Sequence, residues 1–138
     1  MRWKFAFVSE PSESNQVVNS NIEAVLIVTG ALTAGMLAQF VAPSWVLRHA
    51  FGEVPSGVAA ITLARHWGLL LFCVGVLLVY SAFHPAVRVP AVVLASVEKV
   101  GFVACVFGTS LRQRRMQAIS AAADAFMVLI YVLYLLGL

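Results

Sequence analysis

Long apolar stretches alternate with short polar breaks along the whole chain. Four apolar runs can be marked: Ile22–Ala42, Val58–Phe83, Pro90–Gly108 and Leu111–Leu136. Each is near the ~20 residues that an α-helix needs to cross hydrocarbon. Their apolar positions are continuous rather than alternating, and a strand in lipid would need partners to close a barrel. The pattern therefore predicts an all-α fold, a four-helix transmembrane bundle. Short connections favour an up-down-up-down order.

The breaks predict where the helices start and stop. Ser20-Asn21-Ile22-Glu23 has the spacing of a capping box, which satisfies free backbone donors at a helix start. The first run ends before Pro43, and "PSG" precedes the second, which His84-Pro85 closes. Pro90 suits the first turn of the third helix. Ser110-Leu111-Arg112-Gln113 repeats the capping pattern before the fourth. Between spans one and two, "PSWVLRHAFG" sets Trp45, Val46, Leu47, Ala50 and Phe51 on one side and Ser44, Arg48 and His49 on the other. This predicts a short helix lying in the membrane interface, anchored by Trp45 and Phe51 and stopped at Gly52. Residues 1–19 contain only a scrap of apolar sequence, "FAFV", shorter than a secretory signal requires. They read as an interfacial or disordered lead-in to one membrane domain, 20–138.

Composition agrees with the pattern. Of 138 residues, 62% are hydrophobic and 11% charged, where a soluble domain carries roughly a quarter charged. So short a chain cannot hide the excess in a core, because much of its surface stays exposed. The net charge of +3 does not indicate nucleic acid, since Arg112, Arg114 and Arg115 stand together between two apolar runs as a membrane flank. That flank places the 110–117 loop in the cytoplasm, with the 43–57 loop on the same side and both termini outside. Arg48, Arg112, Arg114 and Arg115 then lie inside, against Arg2, Lys4 and Arg88 outside.

Charges inside spans are costly and mark candidate sites. Arg65 lies in span two, Glu98 and Lys99 in span three, and Asp124 in span four, so the formal charges cancel. Arg65 sits roughly 10 Å from the start of its span, at a depth similar to Asp124, with Glu98 and Lys99 nearer the midplane. The spacing predicts that Arg65 meets Asp124 and Glu98. Lys99 needs its own solution: Asp124, water or loss of its proton. Arg65 shares a face with Gly68 and Gly75, and Glu98 with Gly101 and Gly108. Small residues let helices approach, so spans two and three should form a tight pair with the charges at their contact. Such a cluster either locks helix positions or serves as a ligand or proton site.

Other side chains add less. His66 lies near the cluster, while His49 and His84 lie outside the spans, so no pair suits haem and no metal spacing is present. Cys73 and Cys105 fall at different depths, and no disulfide is expected. Tyr131 stands two turns beyond Asp124 and Ser120 one turn before it, a stripe that can line a polar cavity. No nucleophile elbow or catalytic triad is evident.

The run "FVAPSWVLRHAFG", then "LARHWGLLLFCVGVLLVYSAFHPAVRVPAVV", then "AAADAFMVL" resembles the DoxX-like group of small four-helix membrane proteins, nearest to its uncharacterised bacterial members. The resemblance covers roughly residues 22–137. It rests on the loop proline and "FG", on Arg65-x-x-Gly68 and on the acid of span four. It implies a location in a bacterial inner membrane and a fold, but no shared catalytic residues. Some relatives are linked to quinone-dependent sulfur oxidation or to assembly of other membrane proteins.

The expected role is that of a non-enzymatic membrane protein. It would bind a lipophilic small molecule or a partner membrane protein, or a second copy of itself, through Arg65, His66, Glu98, Lys99, Asp124 and Tyr131. Two alternatives remain. One is a quinone-linked redox subunit, in which Arg65 and His66 hold a quinone carbonyl. The other is a small proton-coupled transporter using Glu98 and Asp124.

Overall fold

The computed structural model describes residues 13–137, with side chains from 21. Every regular element among them is helical: α1 (Glu13–Ala34), α2 (Leu37–Val41), α3 (Pro43–Phe51), α4 (Val58–Phe83), α5 (Pro85–Phe107) and α6 (Arg115–Leu135), with a 3-10 turn at Ser110–Gln113. Four segments are long and apolar enough to cross a membrane: Asn21–Val41, Val58–Phe83, Pro85–Phe107 and Arg115–Leu135. The chain has the make-up of an integral membrane protein.

The helix limits differ from expectation in three places, each for a local reason. α1 begins at Glu13, so the Ser20–Glu23 pattern lies inside a helix and starts nothing. The lead-in is helical from Glu13, and residues 1–12 lie outside the described residues. α5 begins at Pro85, which takes the first-turn position expected of Pro90; Pro90 sits within the helix. At the fourth span, Thr109 caps the 3-10 turn by accepting from the Leu111 backbone N–H at 3.3 Å, and α6 starts only at Arg115. The expected stop at Gly52 is present: it caps α3 at φ 73°, a left-handed conformation that glycine adopts without strain.

The first span is not one straight helix. Three-residue hydrogen bonds, Met36 to Thr33, Ala38 to Gly35 and Gln39 to Met36, tighten the chain between α1 and α2. Ala42 then leaves helical geometry (φ −128°) ahead of Pro43, as the proline ring demands of its predecessor. α3 turns back from there and buries Pro43 and Leu47.

The tightest crossing joins α1 to α4. A Cβ on Gly30 would come within 2.8 Å of the Gly75 carbonyl oxygen, and one on Gly75 within 2.6 Å of the Gly30 oxygen. Gly68 meets Met36, Gln39 and Phe40 of the first span in the same way. This corrects the expected pairing of spans two and three through glycine faces: the glycines of α4 face the first span, and a Cβ on Gly101 of α5 would meet nothing within 4 Å. Beside this crossing Ile22, Leu26, Leu78, Ala82, Val92, Ala95 and Tyr131 form the buried core.

Both ends of the bundle carry polar ties. At one, Arg88 is 3% exposed; its Nε donates to the Ser81 carbonyl at 3.2 Å, and Nη2 to the Ala82 carbonyl at 2.7 Å and Glu23 Oε1 at 3.2 Å. A cation thus caps the carbonyl end of α4, where the helix dipole is negative. At the other, Arg114 pairs with Glu53 at 2.7 Å.

Gly75→Val should lower the thermal midpoint in mild detergent, by about 1–3 kcal/mol of stability for overpacking. Gly101→Ala should leave it unchanged or raise it. Equal losses in both variants would contradict the α1–α4 contact.

Candidate functional site

α5 and α6 bring Lys99 and Asp124 together. Lys99 Nζ donates to Asp124 Oδ1 at 2.7 Å, and the two side chains are 5% and 19% exposed. Of the partners open to Lys99, the structure selects Asp124. Glu98 Oε2 lies 4.0 Å from the same Nζ, beyond hydrogen-bond reach. That oxygen is buried and accepts no hydrogen bond. The cluster therefore holds one cation and two carboxylates.

The pair opens onto a cavity of about 330 Å³ lined by residues of all six α-helices. Leu32, Leu71, Phe102 and Met127 give it apolar walls, and Thr33, Gln39, Gln117 and Ser120 add polar ones. Val46, Ala50 and Phe51 of α3 close one end. Gln117, 3% exposed, donates through Nε2 to the Ala50 carbonyl at 2.8 Å. That bond fixes which way the amide points and leaves its Oε1 buried without a partner. Gln39 is held likewise, donating to the Ala64 carbonyl at 2.8 Å.

Tyr131 is fully buried, but in the core rather than on the cavity wall. Its hydroxyl donates to Thr29 Oγ1 at 2.6 Å, and Thr29 donates to the Val25 carbonyl at 2.7 Å. The expected stripe of Ser120, Asp124 and Tyr131 thus divides: the first two line the cavity, and the third ties α6 to α1.

Arg65 and His66 do not join the cluster. Both are exposed, and Arg65 stands beside Gly57, Val58, Ile61 and Thr62 near the start of α4. Among the described residues it forms no ion pair with Glu98 or Asp124. The reason is length. A 26-residue helix runs to about 39 Å, some 9 Å more than hydrocarbon needs, so Arg65, about 10 Å along it, can reach the interface with its long side chain.

Two contributors were not expected, Gln117 and Arg88. Gln117 reads as an ordinary polar residue at the start of a span. Arg88 reads as a flanking charge if the helix starts at Pro90; starting it at Pro85 would have placed Arg88 on the first turn, beside the end of α4. Cys73 and Cys105 are free and exposed, and among the described residues no group of three metal-binding side chains occurs. No protein-family model, curated protein or solved structure matches the chain.

Removing one member of a buried pair strands the other, at about 3–5 kcal/mol. Lys99→Met and Asp124→Asn should each lower the thermal midpoint sharply, and Lys99→Met/Asp124→Leu should recover most of the loss. Arg65→Leu should change little. Additive losses in the double variant would contradict a direct pair.

Proposed function

We propose that this chain binds a lipophilic small molecule in the cavity beside Lys99 and Asp124. The carrying observation is a cavity of about 330 Å³ with largely apolar walls and two buried acceptors that accept no hydrogen bond, Glu98 Oε2 and Gln117 Oε1. Small-molecule sites take this form: concave, mostly apolar, with a few placed polar groups. A pure structural lock would satisfy its acceptors internally, since an unmet buried acceptor costs about 1–3 kcal/mol. The quinone-linked reading rests on Arg65 and His66, which do not line this cavity, and the transporter reading on Glu98 and Asp124, which do.

The membrane setting belongs to the same proposal. The ties Arg114–Glu53 and Gln117–Ala50 join the 43–57 loop to the 110–117 loop, and Arg88–Glu23 joins α1 to the α4–α5 turn. These ties support an up-down-up-down order with Arg48, Arg112, Arg114 and Arg115 at one face, read as cytoplasmic by the positive-inside rule, and both termini outside. α3 lies in that interface with Trp45, 62% exposed, as its anchor. Four apolar helices with a short helix after the first also support the DoxX-like resemblance and, with it, a bacterial inner membrane. Binding through a partner membrane protein or a second copy takes second place, because the polar cluster faces inward.

Native mass spectrometry from mild detergent should show the protein retaining a small adduct. Ala123→Leu, which fills space at the cavity wall, should release it. A wild-type protein that flies bare, and gains no thermal stability from any added lipophile, would contradict the proposal.

A further inference from the structure

Glu98 borders a second space. A groove of about 360 Å³ runs between α4 and α5, with almost wholly apolar walls that include Leu70, Val74, Leu77 and Leu94. Trp67, Leu71 and Glu98 line both this groove and the polar cavity. The two spaces therefore adjoin at these side chains, one lined by Lys99 and Asp124, the other apolar and bordered by the exposed Leu70, Cys73 and Leu94. A molecule that fills both must be amphipathic.

The polar end also selects the head group. Its unpartnered atoms are acceptors: Glu98 Oε2 and Gln117 Oε1. Gln117 cannot turn its amide to offer a donor without breaking its bond to the Ala50 carbonyl. Lys99 is the one cation in the cluster, and Asp124 takes one of its three N–H donors. With both carboxylates ionised beside one ammonium, the formal charge of the cluster is −1. An acidic head would take that to −2, whereas an ammonium or guanidinium head brings it to zero and offers donors to the two unmet acceptors. Resting on the proposed lipophile-binding role, we infer that the ligand is a cationic amphiphile. Its amine or guanidinium head is held by Glu98 and Gln117, and its alkyl chain lies along the groove between α4 and α5.

Trp67 lies where the two spaces meet and can report on both. A protein carrying Trp3→Phe and Trp45→Phe keeps it as the sole tryptophan. In zwitterionic phosphatidylcholine nanodiscs, this protein would be titrated with brominated alkyl chains of one length bearing an amine, an alcohol or a carboxylate head. The amine should quench Trp67 saturably, and Glu98→Gln should weaken that binding by about tenfold or more, as expected for loss of a charged hydrogen bond. The alcohol should bind more weakly and the carboxylate weakest. If all three heads quench saturably with equal strength, or the carboxylate binds best, the head-group inference falls while the cavity remains a lipophile site. If none quenches saturably, the lipophile-binding role falls with it. The comparison of heads on protein with Glu98 intact needs no charge-changing variant, so it decides the matter even if Glu98→Gln fails to fold.

Discussion

An ammonium group cannot be left alone among apolar side chains, and the organisation of this bundle around Lys99 follows from that. Taking a charge out of water costs several kcal/mol even after the surroundings relax. Lys99 is 4% exposed, and Asp124 on the next long helix meets it at hydrogen-bond distance. The pair fixes the register of α6 against α5. It also sets a polar surface among the spans, and the cavity lies against that surface.

The rest of the architecture holds the cavity in place. α1 and α4 approach through Gly30 and Gly75 to a distance that no larger residue permits. Tyr131 and Thr29 tie α6 to α1 by a buried hydroxyl pair. α3 folds back from Pro43 and closes one end, pinned by its Ala50 carbonyl on Gln117. These contacts leave Glu98 and Gln117 with acceptor atoms that protein groups do not meet. Buried acceptors are normally satisfied, and a pair of exceptions on the wall of one cavity points to a role beyond helix packing.

The four apolar runs were legible because length and polarity alone decide them, and so was the stop at Gly52. Helix starts were less legible. Two prolines, Pro85 and Pro90, both suit a first turn, and two capping patterns at Ser20 and Ser110 start no α-helix in the structure. At the charged positions, Lys99, Glu98 and Asp124 could be found because a charge deep in an apolar run has no ordinary explanation. Arg65 looked equivalent in the sequence, but depth counted along a helix does not show how far that helix extends beyond hydrocarbon. The glycines of α4 were visible as an interface, while their partner was not, since a face of small residues carries no label for the helix it meets. Gln117 carried no signal at all; its importance comes from Ala50, 67 positions away in sequence.

The central claim is that Lys99 and Asp124 form a direct pair inside the bundle in a lipid bilayer. Solid-state NMR on protein with ¹⁵N-labelled lysine and ¹³C-labelled aspartate measures it most directly, through dipolar coupling between the Lys99 ammonium nitrogen and the Asp124 carboxylate carbon. With Lys4 the only other lysine and Asp124 the only aspartate in the chain, assignment is direct. Strong coupling that disappears in Asp124→Asn through loss of the labelled carboxylate is the predicted result. Full-strength signals from both groups with no coupling between them would contradict it.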